Sequence, residues 1–294
     1  MLIHRTNAGV RVWCPAKVNL FLEVIGRRDD GYHELQTLLL AVGLYDTLEI
    51  REAARGVMHL ECDCPDLSVG PDNLVWRAVQ LIRDRFGIAA GVTIRLIKRI
   101  PMQAGLAGGS SDAAGTLAGL NCLWRLGLSS RCLGELGAEL GSDVAFFFHG
   151  PAAWCTGRGE IVEPVQLARP LHLVLACPRV GLATAAVYRA LGLPDRRTEG
   201  GPIRQALAAG DVSAIGRLLF NRLEAPAFAL SAEVGRLRQA LARLAPKGVL
   251  MSGSGSTVFA LAEDAADAQR LAHALVSVGE DGTGLRVFVV RSCI

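Results

Sequence analysis

Between residues 99 and 121 the chain reads RIPMQAGLAGGSSDAAGTLAGLN. Gly105, Ala107, Gly108 and Gly109 run straight into Ser110, Ser111 and Asp112, an order of residue types that can do chemistry. Glycine admits positive φ and, lacking Cβ, lets a ligand approach the peptide amides closely. A helix start adds unpaired N–H groups and the positive end of the helix dipole. A loop of this kind feeding a helix is a cradle for phosphate. Ser110 and Ser111 can cap the helix, or offer hydroxyls to phosphate or to a hydrated Mg²⁺. Asp112 suits the dipole but must point away from phosphates, or face a metal, to avoid repelling them. The competing reading is a flexible turn with a Ser/Asp cap. Two familiar phosphate motifs do not apply. No lysine follows these glycines, as G-x-x-x-x-G-K-[ST] requires, and G-x-G-x-x-G fails both here and at GSGSTV, which lacks the last glycine.

The elements around the cradle follow from hydrophobic periodicity. GVTIRLIKRI alternates as a half-buried strand and is closed by Pro101; Ala113, Leu117, Leu120 and Trp124 then predict a helix beginning near Ser111. NLVWRAVQLIRDRFG has helical spacing with Gly87 as its stop, and SRCLGELGAEL predicts a second helix ending at Gly141. VRVWCPAKVNLFLEVIG reads as one or two strands interrupted at Pro15. ELQTLLLAV, DTLEIRE and GVMHLEC read as further short strands, and PAAWCTGRGEIVEPV as a hairpin turning near GRG. The second half is a separate α+β unit. LHLVLACP is a strand, ATAAVYRALG a helix, GPIRQALAAGDVSAIGRLLFN one or two helices, and AEVGRLRQALARL another. KGVLMSGSGSTVFALAED gives strand, glycine loop and strand; AADAQRLAHALVSVG and LRVFVVRS finish as helix and strand. Gly and Pro cluster between residues 157 and 170, where a soft boundary is expected.

With 294 residues, 51% hydrophobic and 20% charged, the chain has the composition of a soluble globular protein with a substantial core. A net charge of +3, spread without a basic block, argues against nucleic-acid and membrane partners. No apolar run approaches the roughly 18 residues of a membrane span, and the N-terminus lacks a secretory apolar segment, so a cytoplasmic location is expected. None of the eight cysteines forms Cys-x-x-Cys. The lone Cys62-x-Cys64 has no second pair, so reduced thiols are expected. Six scattered histidines include no His-Glu-x-x-His, which argues further against a metal centre.

IPMQAGLAGGSSDAA resembles the second signature of the GHMP kinase superfamily (galactokinase and the homoserine, mevalonate and phosphomevalonate kinases), in which that loop wraps the ATP phosphates. CPAKVNLFLEV resembles the first signature and VLMSGSGSTVFAL the third, in the family's order. The resemblance implies an α+β, two-domain GHMP kinase fold with the active site in the interdomain cleft. A ribosomal protein S5 domain 2-like N-terminal ATP-binding and catalytic domain would cover residues 1–157. A ferredoxin-like C-terminal domain would cover residues 158–294. PAKVNLFLEVIGRRDDGYHELQTL, the doubled Gly-Gly-Ser-Ser and LGSDVAFFFHGPAAWCTGRGE point within the superfamily to a small-molecule acceptor, a cytidine diphosphate methylerythritol phosphorylated at its 2-hydroxyl. ATP and Mg²⁺ are the implied cofactors, and a monomer or weak homodimer the implied state. Metal ligands are not implied by any motif.

Residue by residue, the resemblance makes Asp143 of GSDVAFF the catalytic base, with Lys17 of PAKVN beside it to hold it ionised and offset charge on the acceptor oxygen. From the residues alone, Asp143 would be a helix cap and Lys17 a solvated strand residue. Burial beside Val144–Phe148 would raise the Asp143 pKa and a nearby cation would lower it. Pro101, Met102, Gln103, Ala104, Gly105, Leu106, Ala107, Gly108, Gly109, Ser110 and Ser111 form the implied phosphate loop; Lys98, Asn73 and Leu74 flank adenine. A planar cytosine can stack on Tyr32 and hydrogen-bond His33. Resemblance assigns His33 to the cytosine edge, Asn19 to the reacting end, Tyr188 to a second aromatic and Thr184 to a nearby polar contact. Tyr188 reads equally as core packing on an amphipathic helix. SGSGS at residues 252 to 256 would approach substrate or phosphates, or else form a tight hairpin. Two positions depart from the family's pattern: Ala107, where Gly-Leu-Gly-Gly-Gly is usual, and Gln103, where Gly-Ala-Gly often precedes the loop. Alanine at 107 fits with negative φ and strains the cradle with positive φ. The rivals are another superfamily kinase, disfavoured by GYHELQT, and a non-catalytic ligand-binding relative, disfavoured by Asp143 and Lys17.

Overall fold

A computed structural model describes residues 1–192, 196–278 and 284–293. The chain forms two units, one of Met1–Ala16, Leu44–Ile100 and Ala107–His149, the other of Lys17–Gly43, Pro101–Leu106 and Gly150–Ile294. Two long strands run through both, so neither unit is one continuous stretch of sequence.

In the first unit, β1 (Leu2–Thr6) pairs antiparallel with the start of β2 (Gly9–Arg27). The second half of β3 (His33–Ala53) pairs antiparallel with β5 (Gly91–Ile97), and β4 (Met58–Cys62) lies parallel to β5. Between β4 and β5, α1 (Leu74–Phe86) buries Val75, Ala78, Val79 and Ile82 by its helical period, while Leu74 and Leu81 are half-buried and Phe86, expected on the same stripe, is exposed. Gly87, at φ 63°, stops it in the left-handed conformation where glycine is least strained. Next come α2 (Gly108–Leu123), α3 (Ser130–Leu140) and a 3-10 turn, Ala145–Phe148. The sequence predicts one apolar stripe on α2, but the helix is buried almost all round, from Ser111 to Leu120. Sheet side chains cover one side, and α1 and α3 pack against it. Gly115 and Gly119 permit that close approach: a Cβ on them would lie 2.3 Å from Cys14 Sγ and 2.4 Å from Ile50 Cδ1.

In the second unit, Leu35–Leu40 of β3 pair antiparallel with β6 (Ala152–Gly157), which pairs with β7 (Ile161–Pro164) as the predicted hairpin. The chain continues through β8 (His172–Cys177), α4 (Thr184–Arg189), α5 (Gly201–Ala209) and α6 (Val212–Leu218). The two-residue β9 (Phe220–Asn221) joins β2 in parallel, and α7 (Glu224–Leu230) and α8 (Ala232–Arg243) follow. Last come β10 (Gly248–Met251), β11 (Val258–Ala262), α9 (Ala265–Val278) and β12 (Arg286–Arg291). An antiparallel sheet ordered β10-β11-β8-β12 carries α8 and α9 over a core that includes Val174, Val258, Leu241 and Leu271. Gly279, the last residue of the predicted helix AADAQRLAHALVSVG, lies outside the described residues. No helix among the described residues is long and apolar enough to cross a membrane.

The strands differ from expectation in length. ELQTLLLAV and DTLEIRE are parts of one 21-residue strand, β3, and Pro15 does not interrupt β2. Proline only removes a donor, and its fixed φ is compatible with a strand where no N–H is needed.

Candidate functional site

The first turn of α2 is built as the sequence of small residues suggests, with one difference. The helix starts at Gly108, three residues before Ser111, because Ala107 turns the chain in at φ 54°, ψ 33°. No side chain caps this start, and the first helical bond is Ser111 N–H to the Ala107 carbonyl at 2.9 Å. The amides of Gly108, Gly109 and Ser110 precede that bond, at the positive end of the dipole. Ser111 Oγ is buried with no hydrogen-bond partner, so a hydroxyl also waits there. Both departures from the family's glycines, Ala107 at φ 54° and Gln103 at φ 51°, sit in the left-handed region. The cradle is therefore strained there, at about 1–2 kcal/mol per residue.

Beneath this turn lies a buried cluster of charge. The Lys98 ammonium donates to Asp46 and, at 2.8 Å, to Asp112 Oδ2. It lies 3.1 Å from where a Cβ on Gly108 would stand, so glycine lets the helix start sit directly over the cation. Asp112 thus points inward, to a lysine. Burial raises the Asp112 pKa to about 7; Lys98 works against that rise and Asp46 adds to it. Burial depresses the Lys98 pKa, but the two carboxylates more than offset this and hold the ammonium charged. Asn73 caps α1, accepting from Val75 N–H at 2.8 Å and donating to the Ser68 carbonyl, and Leu74 lies beside Gly109. Lys98, Asn73 and Leu74 therefore gather around the start of α2, with the Lys98 head only 7% exposed.

The second unit holds a second network. Lys17 Nζ donates to Asn19 Oδ1 at 2.8 Å and to the Gly105 carbonyl at 3.1 Å. Asn19 Nδ2 donates to Thr37 Oγ1, which donates to the Phe21 carbonyl. Ser252 Oγ donates to the same Gly105 carbonyl and accepts from Asn19 N–H. The Leu106 carbonyl accepts from Lys17 N–H, and the Ala104 carbonyl from Thr257 N–H. Residues 104 to 106 are thereby tied to β2 and to the SGSGS loop. Asn221 holds that loop from behind, donating to the Met251 and Gly253 carbonyls. Pro101 is buried, Met102 exposed, and the Gln103 side chain lies against Gly181.

The residues expected to read cytosine also gather. The rings of His33 and Tyr188 are 4.9 Å apart and tilted by 32°. Tyr32 is exposed, with the Arg158 guanidinium 4.9 Å from its ring centre on one face. Thr184 and Ser254 share a hydroxyl hydrogen bond of 2.9 Å. Burial, with Arg27 nearby, lowers the His33 pKa, so at neutral pH its imidazole is uncharged and has one donor and one acceptor nitrogen. Asp143 stands in the first unit, two residues after Gly141 closes α3 and just before the buried Val144–Phe147 segment.

Family models for the GHMP kinases N terminal domain and the GHMP kinases C terminal match residues 73–151 and 203–281. A 4-diphosphocytidyl-2-C-methyl-D-erythritol kinase from Shouchella clausii is 42% identical over 89% of this chain and 88% of its own. The chain belongs to the GHMP kinases. A second relative of the same name, from Exiguobacterium sibiricum, is 43% identical over 95% of this GHMP kinase and 96% of its own length. A solved 4-(cytidine 5'-diphospho)-2C-methyl-D-erythritol kinase superposes with a TM-score of 0.80 at 39% identity, covering 96% of this chain and 98% of the other. A homoserine kinase from Cytophaga hutchinsonii shares the fold, with a TM-score of 0.79 at 19% identity, over 100% of this chain and 97% of its own.

Sequence reasoning missed three side chains of this GHMP kinase that the networks depend on: Asp46, Thr37 and Asn221. Each is buried and bonded to chain far away in sequence, Asp46 to residues 52 to 54 positions on and Asn221 to carbonyls 30 and 32 positions on. A buried polar residue in a strand needs a partner. The sequence set none of them apart: Thr37 follows Glu34 and Gln36, and Asp46 precedes Thr47 and Glu49 in a strand of mixed polarity.

Proposed function

We propose that this GHMP kinase transfers the γ-phosphoryl group of ATP to the 2-hydroxyl of 4-diphosphocytidyl-2-C-methyl-D-erythritol. The products are the 2-phosphate and ADP, and the step belongs to the non-mevalonate isoprenoid route. Relatives that carry this activity in their names, at 42% and 43% identity over most of the chain, carry the reading. The enzyme acts in the cytoplasm as a monomer or weak homodimer.

The α2 amides and the loop from Pro101 to Ser111 hold the triphosphate. Mg²⁺ keeps most of its water and binds through nucleotide phosphates with few protein ligands. The unpaired Ser111 hydroxyl and the neighbouring Ser110 fit as partners for a phosphate oxygen or a water of that ion. When bound, Mg²⁺ neutralises charge on the β- and γ-phosphates. Asp143 orients the 2-hydroxyl and takes its proton as the oxygen–phosphorus bond forms. Lys17, already held by Asn19 and the Gly105 carbonyl, balances the charge left on the acceptor oxygen. His33 and Tyr188 take the cytosine, with Tyr32, Thr184 and Asn19 completing the acceptor pocket.

The test is ADP release with ATP, Mg²⁺ and the cytidine substrate, with homoserine and mevalonate as controls. Turnover with the cytidine substrate alone is expected; turnover with either control, or with none, overturns the reading. In the same assay His33→Ala is expected to raise KM for the cytidine substrate roughly tenfold or more, as a lost buried hydrogen bond would, with KM for ATP unchanged. The parent's cytidine KM should be flat above about pH 6.5 and climb on the acid side. Its His33 pKa is lowered, so the ring gains its proton, and loses its acceptor nitrogen, only below that value. Equal effects on both substrates refute the cytosine role.

A further inference from the structure

The loop that would hold ATP is anchored at its near end by a buried carboxylate that the chemistry above does not use, and at its far end through the lysine paired with it. Asp46, on β3 and fully buried, accepts from the backbone N–H of Arg99 at 2.5 Å and of Ile100 at 2.9 Å, the last residues before the loop. It also pairs with the Lys98 ammonium, which reaches across to Asp112 Oδ2 in α2, just past the loop's far end. Chain, lysine and carboxylates thus close a ring around residues 100 to 111. We propose that Asp46 is a positioning residue for the nucleotide, fixing both ends of the phosphate loop through this clasp. The inference rests on the assignment of that loop to ATP.

Geometry separates this role from ordinary packing. A buried carboxylate that only stabilised the fold would need donors, but not a cation shared with a second carboxylate at the loop's other border. Asp46 takes two consecutive amides at one border and orients the cation that fixes the other. The loop between contains two residues held at positive φ, Gln103 and Ala107, so its shape is not the one its residues would choose unaided. Releasing either end lets those residues relax, and the amides of Gly108 to Ser110 lose their common aim.

The test is Asp46→Asn, which keeps the shape and the amide acceptor but removes the charge that orients Lys98. KM and Kd for Mg·ATP, the latter by calorimetry, are expected to rise roughly tenfold, with KM for the cytidine substrate unchanged. A merely structural role would reduce the fraction of active enzyme, and so the apparent kcat, without moving ATP affinity. ATP affinity within about twofold of the parent, or equal rises for both substrates, overturns the proposal. If Asp46→Asn does not fold, Asp112→Asn leaves the Asp46 bonds intact and cuts only the far link. The same ATP-selective loss, about threefold or more, is expected there, and unchanged ATP affinity again overturns the clasp. A parent that binds Mg·ATP but does not turn over the cytidine substrate refutes the acceptor assignment alone, and the two variants' Kd values then decide the clasp.

Discussion

Asp143→Ala is expected to lower kcat by roughly 10²- to 10⁴-fold, the range for loss of a general base, while Kd for ATP stays within about twofold of the parent. The carboxylate stands on a short turn between the close of α3 and the buried Val144–Phe147 segment. Asp143 itself is only half-buried, so truncation opens no large cavity. Single-turnover kinetics with saturating ATP isolates the chemical step, and calorimetry reads ATP binding separately. A rate within about tenfold of the parent would falsify the assignment of the base. Asp143→Asn adds a finer distinction. An amide can orient a hydroxyl but takes no proton, so a mild loss in Asn beside a severe one in Ala assigns orientation rather than proton transfer.

Gly105→Ala is expected to act as strongly by another route. Gly105 sits at φ +73°, and a Cβ there would lie 2.0 Å from the Ser252 carbonyl oxygen and 3.1 Å from that of Gly255. Both are backbone atoms, so the loop itself must move. The Gly105 carbonyl accepts from Lys17 Nζ and from Ser252 Oγ, so the same movement withdraws one of the acceptors that hold the lysine proposed to balance charge at the acceptor oxygen. A displacement of about 1 Å at such a place costs on the order of 10²-fold in rate, and kcat/KM should fall by about that factor. Gly87→Ala supplies the comparison. It meets the same left-handed penalty, at φ +63°, with nothing within 4 Å, so it should lower stability by about 1 kcal/mol and leave kcat/KM alone. If the two alanines lower activity equally, strain rather than the clash with Ser252 is responsible.

Local features of the sequence were legible because their causes are local. The stripe of α1 and its glycine stop, the hairpin at GRG and the helix–strand order of the second half all follow from spacing and turn chemistry within a few residues. The run of small residues before α2 likewise showed where a helix would begin, while the phosphate role of that loop came from family likeness. The start of α2 was misplaced because Ser111 looks like a cap, whereas its hydroxyl is buried and unbonded and the chain turns in at Ala107. The continuity of β3 was hidden at residues 43 to 45, which fell between the two predicted strands. Asp46 is buried in the strand and satisfied by amides more than fifty residues away. Lys98 illustrates the same limit. Family likeness put it near adenine, and only the fold reveals the two carboxylates that hold its head.

A helix whose opening turn has no cap of its own is, in effect, unfinished until an anion arrives. On the proposed assignment nucleotide would complete it, and because only the folded chain presents those amides together, bound triphosphate would stabilise the native state by an amount that grows with the logarithm of its concentration relative to Kd. The protein's resistance to heat and to proteases should therefore track the nucleotide supply around it, which would make an enzyme starved of ATP the one most exposed to degradation.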